Sequence, residues 1–162
     1  MRFLAAGLAM LAAQSILPMA SPIDGLTLAD LHDTFSDARS GHAHEAIDIT
    51  APLGTPVHAV VAGTIRKLFL SKPGGNTVYE FDEASERSFY YAHLQRYADG
   101  LHEGMRVERG DIIAYVGSTG NADPRAPHLH LAVFELGPGR EWWKGTPIDP
   151  YPSLVAALRK SR

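Results

Sequence analysis

"GHAHEAIDITAPLGTPVHAV", residues Gly41 to Val60, changes character half way along. Its first half carries His42, His44 and Asp48. Its second half is apolar, punctuated by Pro and rich in Val. From Ala43 onward the chain keeps this second habit. Short runs of Val, Ile, Tyr and Phe alternate with Gly and Pro, the pattern of strands separated by turns. "TPVHAVVAGTIRKLFL" (55–70) reads as two strands broken at Gly63, and "KPGG" (72–75) as a turn. "NTVYEFD" (76–82) and "RSFYYAHL" (87–94) read as a hairpin around the polar "EASE". "MRVERGDIIAYVGSTG" (105–120) reads as strand, turn and strand, and "HLHLAVFEL" (128–136) as a further strand. The tail "YPSLVAALRKSR" predicts one short helix, and a helical turn is expected around Leu28–His32. An all-β fold follows, a mainly antiparallel barrel or sandwich with a short C-terminal helix.

The chain has 162 residues, enough for one domain with a real core. Its net charge of −3 argues against a nucleic-acid partner, which requires a basic face to neutralise phosphates. There is no Cys, so any metal site has to be built from His and carboxylates. Behind Arg2 the chain is uncharged until Asp24, and Phe3–Ala13 has the length of a signal-peptide apolar region. Cleavage after Ser15 or after Ser21 fits the small residues there. A retained anchor is the alternative, weakened by Gln14, Pro18 and Pro22. The expected organisation is a leader over 1–21, a lead-in segment over 22–40, the main domain over 41–152 and a helical tail over 153–162. Export to the periplasm or the cell exterior is expected, with no stable membrane insertion after cleavage.

"PHLHL" is the sharpest chemical signal. Side chains alternate along a strand, so His128 and His130 share one face while Leu129 and Leu131 point to the other. Two imidazoles on one face can serve one metal, one as ligand and one beside it, or can simply make polar-face hydrogen bonds. His44 and Asp48 are the candidate remaining donors. "HEAID" is not the helical H-E-x-x-H motif, because its fifth residue is Asp. In a regular strand His44 and Asp48 would lie about 13 Å apart, so sharing a metal requires a bend between them. Gly at position 46 would make that bend easy; this chain has Ala46.

Taken together, "HEAID", "APLGTPVHAVVAGTI", "YYAHL", "GDIIAYVGSTGNA" and "APHLHL" resemble the lysostaphin/LytM-type zinc metallopeptidases. The resemblance runs from about Arg39 to Phe134 and continues weakly through "GTPIDPYP". Each motif is weak alone; five in the family's order are specific. The resemblance implies a compact β fold with a groove over Zn²⁺. It implies His44, Asp48 and His130 as zinc ligands and His93 and His128 as catalytic histidines. It implies peptidoglycan peptides as substrate, cleaved at cell-wall cross-links. Two His and one Asp would leave a fourth zinc position open, the arrangement of a catalytic rather than a structural site. Ala46 and Ala126 depart from the family's usual Gly without removing a ligand.

Two rivals differ in class, beside a metal-storage or metal-sensing role that the single-site ligand count does not favour. One is a non-catalytic activator or scaffold of the same fold, expected to have lost ligands that this chain retains. The other is a lipoyl-type carrier, which needs a Lys in a hairpin-tip motif that Lys67 and Lys72 do not supply. If the lead-in segment inhibits the site, it does so by laying Asp24, Asp30, Asp33, Asp37 or a His towards the metal. Tyr91 shares the parity of His93 and is expected to approach the groove in preference to Tyr90. Trp142 and Trp143 are candidates for its wall, the plainer expectation being one buried and one partly exposed ring. His32, His42, His58 and His102 have no motif support. A regulatory protein partner is left open by the sequence.

Overall fold

A computed structural model describes residues 16–160 of the chain. Most of the expected leader, positions 1–15, lies outside the described residues. Two short strands, β1 (Ala38–Arg39) and β2 (His42–Ala43), form a small hairpin of their own. The main sheet is built from β3 (Ile47–Thr50), β4 (Pro56–His58), β5 (Gly63–Ser71), β6 (Gly75–Asp82), β7 (Arg87–Tyr97), β8 (Arg106–Val107), β9 (Ile112–Val116), β10 (His128–Leu136) and β11 (Gly145–Ile148). The helix α1 (Tyr151–Lys160) ends the fold.

All strand pairs are antiparallel. Strand order runs β11-β10-β7-β6-β5-β8, with β3 laid on β10 and β9 bridging β7 to β4. The sheet does not close, so the sandwich half of the expectation holds and the barrel half does not. The long strands β7 and β10 each change partner part way along, which lets one continuous sheet wrap both sides of a single core.

That core follows from alternation. Ile47 and Ile49 of β3 and Leu129, Leu131 and Val133 of β10 are fully buried on one face. Asp48, His128 and His130 therefore stand on the other. Tyr91 is also fully buried. Its hydroxyl accepts from the Val60 N–H (2.9 Å) and donates to the Glu80 carboxyl (2.7 Å), tying β6 and β7 to the chain after β4.

The expected helical turn at Leu28–His32 is a single hydrogen-bonded turn that does not continue into a helix: the Asp30 N–H donates to the Thr27 carbonyl at 3.2 Å, and Thr27 donates to the Asp30 carboxylate through its backbone N–H and its hydroxyl. Upstream of it the chain is packed. Leu17, Met19 and Ile23 are buried, and the Leu17 N–H donates to Ser153 Oγ in α1 at 2.8 Å. The packed chain thus starts several residues before position 22. Among the described residues no helix is long and apolar enough to cross a membrane.

Candidate metal and catalytic site

In β10 and β3, His130 and Asp48 are directly opposite in register. This places their side chains side by side on the groove face, with His130 Nδ1 at 3.2 Å from Asp48 Oδ1. His44 arrives from outside the sheet. Glu45 adopts a left-handed backbone (φ 56°), so the chain turns sharply one residue before the buried Ala46 and strand β3 begins only at Ile47. The required bend therefore exists, at position 45 and not at 46. It closes the gap to 3.2 Å between His44 Nε2 and Asp48 Oδ1, and to 3.1 Å between His44 Nε2 and His130 Nδ1.

Three donor atoms about 3.1–3.2 Å apart match the edge of a tetrahedron with bonds near 2.0 Å, which is about 3.3 Å. The protonation pattern also suits a cation. His44 Nδ1 is bonded to the Thr34 carbonyl at 3.0 Å, so it carries the proton and Nε2 presents a lone pair. Burial lowers the His44 pKa, which keeps the ring neutral. Burial alone would raise Asp48, but bonding to His130 and the charges of His130, His44 and His128 outweigh it and hold the carboxyl low. Two imidazoles and a carboxylate converge, and the three could hold a divalent ion.

His93 and His128 complete the ring of imidazoles. His128 Nδ1 bonds the Ala126 carbonyl (2.9 Å), which turns Nε2 inward to 3.8 Å from Asp48 Oδ1. His93 Nδ1 bonds the Thr119 carbonyl (2.9 Å), with its ring centroid 4.9 Å from His128 and 5.6 Å from His130. Burial lowers the His93 pKa as well. His93 itself is left-handed (φ 58°), and the β6–β7 register shifts by one residue across Ala92 and His93. This is a β-bulge, the device that re-aims a side chain next to a site. It also corrects the expectation for tyrosine. Simple alternation pairs His93 with Tyr91; the bulge swings His93 out to the groove, leaves Tyr91 in the core and gives Tyr90 to the groove wall. The turn at Gly74–Gly75 and the loop at Thr119–Gly120 press together behind His93. A Cβ on Gly75 would come within 2.5 Å of Gly120 N, so only glycine fits there.

The site opens into a groove of about 520 Å³ lined by Tyr90, Pro73, Gly74, Asn121–Asp123 and the β1–β2 hairpin. From that hairpin Arg39 Nη2 reaches Asp48 Oδ2 at 3.1 Å. Sequence reading did not promote Arg39. The available signal was Ser40–Gly41, a two-residue hairpin turn that folds Arg39 back over the site. Asp24 pairs with His58 at 3.2 Å, and Asp30 and Asp33 bond residues beside them in the chain, whereas Asp37 meets His44 through its backbone carbonyl, which accepts the His44 N–H at 2.8 Å. His42 lies on the groove rim, and Trp142 and Trp143 lie in the β10–β11 connection.

The chain belongs to Peptidase family M23, whose match covers residues 42–150. It is 32% identical to the L-Ala--D-Glu endopeptidase of Bacillus subtilis over 85% of this chain and 43% of that one. The catalytic domain of lysostaphin from Staphylococcus simulans superposes with a TM-score of 0.60 at 31% identity, covering 71% of this chain and 81% of the domain. A putative glycyl-glycine endopeptidase LytM from Ruminococcus gnavus superposes with a TM-score of 0.69 at 26% identity, covering 88% and 59%. The chain spans less than half the length of the Bacillus relative.

Proposed function

We propose that this chain is a zinc-dependent endopeptidase that hydrolyses peptide cross-links of bacterial peptidoglycan. One observation carries the reading. His44, Asp48 and His130 converge on one point whose open side faces a groove flanked by His93 and His128. Zn²⁺ held there supplies a Lewis acid for the scissile carbonyl and acidifies water. The protein's own part is positional. Tyr90 and the Gly74 turn bound the groove and orient an extended peptide across it. His93 and His128, each fixed through Nδ1 by a backbone carbonyl, present Nε2 to the reacting centre. With Nδ1–H given to a carbonyl, Nε2 of one ring accepts the water's proton, and the other ring, once protonated at Nε2, donates where negative charge develops. Arg39 holds the second oxygen of Asp48, so that Oδ1 remains aimed at the ion. Retention of all five residues favours catalysis over a scaffold role.

Export is part of the reading, since the substrate lies outside the cytoplasm. Leader cleavage after Ser15 suits the fold better than cleavage after Ser21, because the later cut would remove the buried Leu17 and Met19. The deciding experiment incubates purified protein with isolated sacculi, with and without a chelator. Cross-link fragments should be released only in the metal-loaded sample. Identical release in both samples, or none in either, would refute the assignment.

A further inference from the structure

The groove face of the sheet carries a continuous run of aromatic rings leading away from the metal ligands. Tyr90 meets His130 edge to face at 5.8 Å. Tyr90 and Tyr79 are direct cross-strand partners, 4.7 Å apart. Trp142, in the β10–β11 connection, meets Tyr79 at 4.8 Å, and Trp143 meets Trp142 at 5.3 Å. The far end is open to solvent: Trp143 is 62% exposed, and Phe69 beside Trp142 is 40% exposed. The Trp142–Trp143 contact is T-shaped, so it covers at most one face of the Trp143 ring.

Leaving an indole in water forfeits the burial that a large aromatic side chain normally gains. Here the open ring ends a track that begins at the proposed reaction centre. The rest of the track is supported by ring packing, so the platform is rigid before any ligand arrives. We propose that Trp143, backed by Trp142, is a stacking subsite for an N-acetylhexosamine ring of the glycan strand, engaged while the attached peptide lies in the groove. This rests on the peptidoglycan reading above.

Two features favour a sugar as occupant. The C–H face of a pyranose is apolar with a slight positive charge, which complements the negative face of an indole. The spacing also fits. Each step between rings is between 4.7 and 5.8 Å, which sets an upper limit on the separation of His130 from Trp143 that a handful of extended residues, at roughly 3.3 Å each, can span. That is the scale of a short stem peptide connecting a cross-link to its sugar.

The test titrates the full metal-loaded chain with chitotetraose, a β-1,4-linked tetramer of N-acetylglucosamine, and follows the indole N–H resonances and the heat of binding. Saturable binding that perturbs both Trp signals is expected. Trp143→Ala should weaken it about tenfold, the scale of one lost ring contact, and Trp143→Phe by less. The ratio of turnover on sacculi to turnover on a soluble, sugar-free cross-linked peptide should fall several-fold in Trp143→Ala. No saturable binding by the wild-type chain, or unchanged affinity in Trp143→Ala, would overturn the subsite. So would equal slowing on both substrates, which assigns the surface to the peptide, or loss of self-association in the variant, which assigns it to a second copy. If the chain cleaves neither substrate, the peptidase reading fails while the chitotetraose titration still decides this one.

Discussion

Arg39 and Asp48 form an ion pair (3.1 Å) that divides one carboxylate between two tasks. Oδ2 faces the guanidinium, while Oδ1 faces His44, His130 and, further off, His128. The pair links the β1–β2 hairpin to the proposed ligand set.

Replacing Arg39 with Ala should therefore weaken zinc binding by about tenfold or more, the usual effect of removing a partner that orients a ligand. Competition with a chromophoric chelator measures this directly. Unchanged affinity would reduce the ion pair to a surface contact of little worth.

The two histidines of "HLH" should separate cleanly. His130→Ala removes a donor of the converging triad and should abolish both bound zinc and turnover. His128→Ala should retain zinc, because its Nε2 lies outside the triad at 3.8 Å from Asp48 Oδ1. Its turnover should fall by about 10²–10⁴. Metal content by atomic absorption, set beside activity, decides the matter; parallel losses in both variants would refute the division.

Tyr91→Phe should lower stability and spare chemistry. The substitution removes the donor to Glu80 and the acceptor of the Val60 N–H, at a cost of about 1–3 kcal/mol. Zinc content and turnover per folded molecule should match the parent in assays kept below the new melting temperature. Normal melting with lost turnover would return Tyr91 to the groove.

Glu80 makes stability depend on pH. Burial pushes its carboxyl up from 4.5 to about 8. The folded state then holds a proton that the unfolded chain releases at lower pH, so the contribution is fully present below about 4.5 and is lost as pH rises to about 8. Glu80→Gln cannot ionise. Its stability relative to the parent should rise across that window by an amount of order a few kcal/mol. Melting temperatures of both proteins at pH 4.5 and pH 8 test this, and a constant difference between them would count against it.

The sequence was legible where the backbone is regular. Strand β10 alternates without interruption, so His128 and His130 on one face and Leu129 and Leu131 on the other follow from period two alone. Period two fails at β7. The bulge inverts the relationship between Tyr91 and His93, and no residue in "YYAHL" announces it, because His93 occupies the left-handed position that Gly would normally mark. The bend required between His44 and Asp48 lies at Glu45, where again no glycine marks it. Arg39 escaped notice because its importance depends on a hairpin too short to show any periodicity.

Four non-glycine residues adopt left-handed backbone among those described, and two of them, Glu45 and His93, serve this centre. Each such residue is disfavoured by roughly 1–2 kcal/mol relative to a relaxed conformation. At 93 the penalty is unavoidable, since the residue with the easiest backbone has no imidazole to offer. At 45 no such conflict exists: the exposed side chain contributes nothing to the groove, and glycine would relax the turn while still delivering His44. Thermal robustness and the proposed chemistry are thus opposed at one of these two kinks and independent at the other, which makes position 45 the place where the molecule can be hardened without touching the groove.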